Sequence, residues 1–398
     1  MKIWKNFTVC VVAALLMSAC NQDTGTDETQ NQASATTVSS AVPSSGTISD
    51  AQELPTINVG YIFTTNHTPF QVAMAKGEEY KQNDSYLKPL IPKEKYQFVV
   101  DGKPVAQFDV IVNKSGSETS TLFAQKRMDL AMASITAVMA GIDKGVPMKI
   151  VSPLVLVGGA VVVDKDSALT NWAEFVAQAK QGKQTIKIGY HSPTSAPKII
   201  LEGALKHEGL KVSSDPNDSS AQVLLVDLKE TSNMLPALAS KQVDAVVGPE
   251  PLPQTAQFKK IGKVISQLRD LPPDGQWQGF PCCVIVASDE LIATRPELVR
   301  QFVHFMSGSS QWCNNNRAEA GAIAADWIGL PPEVGKASTL EFISDFSDNW
   351  KQGAGGYMNV LNQMGYFKGQ LKDKSFDQAQ SLLIAPEFVM TQQGQEKK

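Results

Sequence analysis

The feature that most constrains this fold is a repeated alternation of short apolar runs with helical segments, a small polar loop following many of the runs. Strand-like runs fall at 57–62, 108–112, 129–132, 148–156, 160–163, 186–190, 223–226, 244–247 and 283–287. Helical spacing falls at 118–127, 135–143, 172–180, 198–208, 232–240, 296–313 and 318–328. Alternating strands and helices predict parallel sheets with helices on both faces. Most of the runs are continuously apolar, which fits strands buried on both sides.

In open sheets of this kind ligands bind beyond the carboxyl ends of the strands. The loops there are polar and small for the most part: Phe63 to Pro69, Asn113 to Thr119, Ala133 to Thr136, His191 to Pro197, and Gly248 to Pro251. Ser and Thr cap helix starts, and the free N–H groups just beyond bind anions or polar oxygens. Any one such loop is an ordinary cap; five in succession predict a cleft.

The first twenty residues carry a different signal. Lys2 and Lys5 precede an apolar run from Phe7 to Leu16, too short to span a bilayer and laid out as a secretion leader. Leu15-Leu16-Met17-Ser18-Ala19-Cys20 resembles the lipobox of bacterial lipoproteins, which implies removal of 1–19 and acylation of Cys20. From Asn21 to about Asp50 the residues are mostly Thr, Ser, Gln, Asn, Ala, Asp and Gly. Such a stretch buries too little to offset its ordering entropy and reads as a tether. The expected organisation is a leader at 1–19, lipidated Cys and tether at 20–54, a first lobe at 55–155, a second at 156–274, and the rest of the first at 275–398. The part after the tether exceeds the size at which one core stops growing, hence two lobes.

A formal net charge of −4 argues against nucleic acid, which calls for clustered Lys and Arg. With Cys10 in the leader and Cys20 as anchor, Cys282, Cys283 and Cys313 remain, which allows at most one disulfide. Cys283 alternates with Ile285 and Ala287 and reads first as a small buried hydrophobe. A bridge from Cys282 or Cys283 to Cys313 is the next reading.

Thr65-Asn66-His67-Thr68-Pro69-Phe70 followed by Ala73-Met74-Ala75-Lys76-Gly77 resembles the first strand–helix turn of a bacterial solute-binding family. That family serves ABC importers of nitrate, sulfonates, taurine and thiamine-precursor pyrimidines. Residues 123–131 and 235–247 are similar to its recurring element of a helix end followed by a strand at Asp; 145–150 and 289–302 fit as well. The likeness runs from residue 56 onward. It implies two doubly wound α/β lobes joined by crossing strands, Gly158-Gly159 and 275–280 at the crossings, and closure over a ligand by hinge motion. Where relatives that bind phosphorylated pyrimidines carry a glycine- and acid-containing loop, this chain has Ser192-Pro193-Thr194-Ser195.

The expected ligand contacts are Asn66, His67 and Thr68 on the first loop, Ser115, Ser117 and Ser134 from the first lobe, and Ser192, Thr194 and Ser195 from the second. Glu250, between two prolines, is a carboxylate positioned to accept a ligand N–H. Trp277 and Phe280 are rings available for stacking, with strand cores the competing role for aromatics. Asn66 has the alternative of capping the following helix. These loops contain no arginine, so a bidentate clamp on carboxylate or phosphate is not in prospect. The pattern suits a small polar or heteroaromatic solute, or an anion held by helix starts.

Hydrolase and zinc-protease motifs are absent. Ser195-Ala196-Pro197-Lys198 and Ser347-Asp348-Asn349 match penicillin-binding-enzyme elements, but Lys114-Ser115-Gly116 stands first where Lys-Thr-Gly should be last. Pro197 also breaks the turn that would place the lysine beside the serine. The expectation is a membrane-tethered, exported binding lipoprotein without enzymatic activity, metal or cofactor, which delivers a small solute to an ABC permease. A sensor without transport, or a pyrimidine-synthesis enzyme on the same fold, is the alternative.

Overall fold

The computed structural model describes residues 53–156 and 158–389; the leader, Cys20 and most of the tether lie outside the described residues. The chain opens with β1 (Thr56–Ile62), β2 (Ser85–Ile91), β3 (Lys95–Val100), β4 (Lys103–Asn113), β5 (Leu130–Ser134) and β6 (Met148–Leu156). It then crosses into β7 (Gly159–Asp164), β8 (Ile186–Tyr190), β9 (Val212–Ser213), β10 (Val223–Asp227), β11 (Ala245–Pro249) and β12 (Gly262–Gln267), and returns in β13 (Pro281–Ser288). The first sheet has the order β2-β3-β4-β1-β5-β13-β6, the second β12-β7-β11-β8-β10-β9. These are the two α/β lobes.

The sheets are mixed, not parallel as the alternation predicts. β1 runs parallel to β4 and β5, and β8 to β10 and β11. β13 runs antiparallel to β5 and β6, and β7 to β11 and β12. The reason is the crossing itself. A strand that enters a lobe from the other lobe starts at the carboxyl end of the sheet, where its neighbours finish, and has to run against them. The hairpin β2–β3–β4 supplies the other antiparallel pairs.

Around residues 63–68 the chain forms a short 3-10 turn, Thr65–His67, before the helix Thr68–Lys76. Thr64, not Asn66, caps it: its side chain accepts the Asn66 N–H at 3.3 Å. This frees the Asn66 amide for other contacts. The 20-residue helix Pro296–Asn315 opens on Pro and Glu297, both favoured in a first turn, and buries Leu298, Val299, Phe302, Val303, Phe305 and Met306 along one face. Phe302 meets Phe70, Phe98 and Phe108 edge-on at 5.7–6.2 Å between ring centroids, which pins the helix to the hairpin and the first strand–helix unit.

The outgoing crossing is tight. Gly159 has φ +139°, and a Cβ there would lie 2.3 Å from the Gly248 carbonyl oxygen. Only glycine fits this backbone without displacement. Beside it Leu156 N–H donates to the Glu341 carbonyl, and Ile343 N–H to that of Leu154, so a C-terminal segment runs along the crossing.

Candidate functional site

The carboxyl ends of β1, β5, β8 and β11 and the start of β13 converge between the lobes. They enclose a cavity of about 30 Å3 lined by Asn66, His67, Gly116, Ser134, His191, Ser195, Thr231, Cys282 and Cys283, among others. That volume holds one or two waters. No carboxylate, Lys or Arg is among the lining residues, nor any Phe, Tyr or Trp.

Two helix starts meet here. Ile135–Asp143 begins at Ser134 and Ala196–His207 at Ser195, and neither cap side chain accepts a backbone N–H of its own first turn. Instead the Ala196 N–H of the second lobe donates to the Ser134 hydroxyl of the first at 3.1 Å. Neither first turn contains an acid to offset the positive helix end. The site therefore has positive potential without a formal charge.

His67 is fully buried. Its Nδ1 accepts the Ile62 N–H at 3.1 Å, so the neutral ring carries its proton on Nε2, and Nε2 has no partner. Burial pushes its pKa down from 6.5 to about 3. His191 is also buried, with Nδ1 unpartnered; burial pushes its pKa down to about 4, against a smaller opposing pull from Asp227. Asn66 Nδ2 donates to Cys282 Sγ at 3.1 Å, and Asn66 Oδ1 has no partner. Three side chains at one cavity thus present unsatisfied buried polar atoms, a state that costs stability and marks a site.

Cys282 and Cys283 both line the cavity, although consecutive strand residues normally face opposite ways. The pairing of β13 with β6 slips on either side of Cys283, and this bulge turns both thiols inward. With Cys313 they are free and buried. The neighbouring Cys282 and burial raise the Cys283 pKa, so its thiol stays protonated.

Next to the cavity the lobes are stitched by hydroxyls. Ser117 Oγ lies 3.0 Å from Ser192 Oγ and 2.9 Å from Thr194 Oγ1, and the Thr136 hydroxyl donates to the Thr194 carbonyl at 2.6 Å. At another edge the Thr64 hydroxyl donates to the Glu250 carbonyl at 2.6 Å. Lys114 pairs with Glu230 at 3.2 Å in the open. These contacts hold the two lobes against each other.

Of the residues expected at a ligand, Asn66, His67, Ser134 and Ser195 line the cavity, and Ser117, Ser192 and Thr194 form the seam. Five others bond or pack elsewhere. Thr68 donates to the Thr65 carbonyl at 2.6 Å, and Ser115 caps the helix Gly116–Ala124 by accepting the Glu118 N–H at 3.3 Å. The Glu250 carboxylate accepts the Ser338 and Thr339 hydroxyls at 2.6 and 2.8 Å and ties the second lobe to the C-terminal segment. Trp277 is fully buried, donates to the Pro272 carbonyl at 3.0 Å and packs on Phe280, which packs on Tyr357. Neither ring reaches the cavity, because the returning chain needs them as core. His191, Thr231, Cys282 and Cys283 were missed. His191 opens a loop at a strand end just as His67 closes one, and that parallel was the available signal.

The two sheets, the double crossing and the enclosed polar cavity define the fold of the periplasmic binding proteins. It is similar to the ligand-binding component of an ABC-type import system from Staphylococcus aureus, solved with zinc bound: TM-score 0.62 and 15% identity over 84% of this chain and 97% of that one. The periplasmic nitrate-binding protein of Synechocystis matches at TM-score 0.61 and 16% identity, over 84% of this chain and 87% of its own. The alkanesulfonate-binding protein of Xanthomonas axonopodis, bound to MOPS, matches at 0.59 and 13%, over 84% and 99%. In sequence, the NMT1-like family model matches residues 50–329, and the chain belongs to that family. An uncharacterised protein of Methanocaldococcus jannaschii is 30% identical over 122 residues, 29% of this chain and 83% of its own.

Proposed function

We propose that this chain is an extracytoplasmic solute-binding protein. It captures a small solute rich in hydrogen-bond acceptors, a monoanion or a neutral polar group, between its lobes and passes it to an ABC permease. The observation that carries this reading is the pair of facing helix starts over a buried cavity into which His67 presents an unpartnered Nε2–H. An acceptor group there pairs with the imidazole and lies at the positive ends of both helices. With neutral histidines and no cation in the lining, a multiply charged ligand is poorly matched. The nitrate- and alkanesulfonate-binding neighbours bind solutes of this chemistry. With no aromatic side chain in the lining, stacking of a heteroaromatic ring loses its support.

Catalysis is disfavoured by the same groups. Imidazoles with depressed pKa values are weak bases, and a protonated thiol is a weak nucleophile. The anchor is the Cys20 of the lipobox-like stretch, and among the described residues no helix is long and apolar enough to cross a membrane.

Calorimetric titration with nitrate, methanesulfonate and short carboxylates tests capture, and small-angle scattering tests lobe movement. Stoichiometric binding without turnover, and a change in scattering, are expected. Absence of binding across these monoanions and across the matching neutral amides, titrated alongside, would falsify the reading. For anchoring, Cys20→Ala is expected to release the processed chain from the membrane fraction.

A further inference from the structure

Cys282 and Cys283 are nucleophilic groups that solute capture leaves unused. Their sulfurs stand 3.9 Å apart, with the Cys283 S–H directed at Cys282 Sγ. Asn66 Nδ2 donates to that same sulfur at 3.1 Å and lies 3.8 Å from Cys283 Sγ. In a regular strand neighbouring side chains point to opposite faces, and two such thiols do not meet. Here the register of β13 on β6 passes over Cys282 between Pro281 and Cys283, and the slip puts both sulfurs on the cavity side. Cys313 takes no part: it is buried on the helix Pro296–Asn315 and is not among the lining residues.

We propose that Cys282 and Cys283 are a thiol–disulfide switch, closing to a bridge between adjacent residues that lowers the affinity of the cavity for its solute. The oxidant is a disulfide, small or carried by a protein, of the kind an exported chain meets. Cys282 is the attacking sulfur, since two donors converge on it and favour its thiolate. It displaces one thiol from the oxidant and is left in a mixed disulfide. Cys283 then attacks Cys282 Sγ, and the second thiol leaves. The two protons of the pair end on the released thiols, and the two electrons its sulfurs give up reduce the oxidant. The second lobe covers the pair through His191, Ser195 and Thr231, so exchange proceeds as the lobes part and water reaches the sulfurs. A trans peptide holds adjacent Cα atoms about 3.8 Å apart, whereas relaxed bridges span roughly 4.4–6.8 Å. The bond is therefore strained and readily reduced, which suits a reversible signal better than a permanent staple. Two contacts carry its effect to the site. Drawing the sulfurs together pulls the Cys282 acceptor from Asn66 Nδ2, and it shifts Cys283, which pairs with Ser134 at the start of Ile135–Asp143. The loss of affinity rests on the reading of the cavity given above; formation of the bridge does not.

The test uses the full chain, reduced, exposed to oxidised glutathione, blocked with an alkylating reagent and digested with trypsin. Residues 270–300 form one tryptic peptide that holds Cys282 and Cys283, while Cys313 falls in 301–317. Mass spectrometry is expected to find 270–300 lighter by two hydrogens and unalkylated, and dithiothreitol to restore both thiols. Cys283→Ser is expected to stop at a glutathione adduct on Cys282, and Cys313→Ala to bridge as the parent chain does. Thermal unfolding checks that both variants fold, and the parent chain gives the mass result without either. Calorimetric titration with nitrate and methanesulfonate is expected to show the oxidised chain binding about fivefold more weakly than the reduced one, the worth of one hydrogen bond. Two thiols that survive oxidation, or a link from 270–300 to 301–317, overturn the pair. A bridge that leaves affinity unchanged overturns the switch. Binding by neither form overturns the capture reading and the switch together, while the bridge stands on its mass.

Discussion

The backbone N–H of Ile62 donates to Nδ1 of His67, and this one bond decides what the imidazole offers a ligand. It forces the single proton of the neutral ring onto Nε2, at the cavity. The last residue of β1 thus sets the tautomer of a side chain five positions on.

Replacing His67 by Ala removes that donor and leaves the Ile62 N–H without its acceptor. Affinity for a bound acceptor group is expected to fall about tenfold or more, the worth of one buried hydrogen bond. Titration calorimetry reads the change; affinity within twofold of the parent chain would sink the assignment.

Acid should weaken the fold through both histidines. Their folded pKa values, about 3 for His67 and about 4 for His191, lie below the ordinary 6.5. Below 6.5 the unfolded chain therefore takes up protons that the native one refuses. Stability is complete above pH 6.5 and is lost as pH falls toward 4 and then 3, by about 1.4 kcal/mol per unit for each ring. Urea unfolding between pH 7.5 and 5 measures the slope, and His67→Gln is expected to reduce it by the share of one ring.

At the seam, Ser117→Ala removes the hydroxyl that meets both Ser192 and Thr194. Closure should lose about 1 kcal/mol. Scattering is expected to show a larger mean radius in the absence of solute, and binding to weaken several-fold. An unchanged radius with unchanged affinity would mean that these hydroxyls hold nothing.

Glu250→Gln separates scaffold from site. Its carboxylate is committed to Ser338 and Thr339, so unfolding should become about 2 kcal/mol easier with solute affinity near that of the parent chain. A selective loss of binding would return Glu250 to the ligand.

At the crossing, Gly159→Ala should cost about 3 kcal/mol, because the added carbon meets the Gly248 carbonyl. Thermal denaturation against the parent chain tests this; a neutral outcome would show that the crossing can shift.

The alternation of runs and helices made the two-lobed architecture legible, since strand 148–156 and helix 135–143 stand in the structure as the spacing implies. β2, β3 and the first half of β4 escaped it. Polar residues and prolines interrupt the apolar pattern there, yet Asp101-Gly102 was a readable turn signal, with both residues at positive φ. For the candidate site, loops at strand ends pointed to Asn66, His67, Ser134 and Ser195, which line the cavity. What stayed hidden depended on contacts remote in sequence. Glu250 finds Ser338 and Thr339 through a segment almost ninety residues on, and the bulge that turns Cys282 and Cys283 together exists only once β13 pairs with β6.

The hydroxyl stitching between the halves has a practical consequence. Because Ser117, Ser192, Thr136 and Thr194 carry no net charge, dissolved ions have little to screen, and the exposed Lys114–Glu230 pair adds only a small salt-sensitive part. The clasp is therefore expected to work almost equally well in dilute and in briny surroundings.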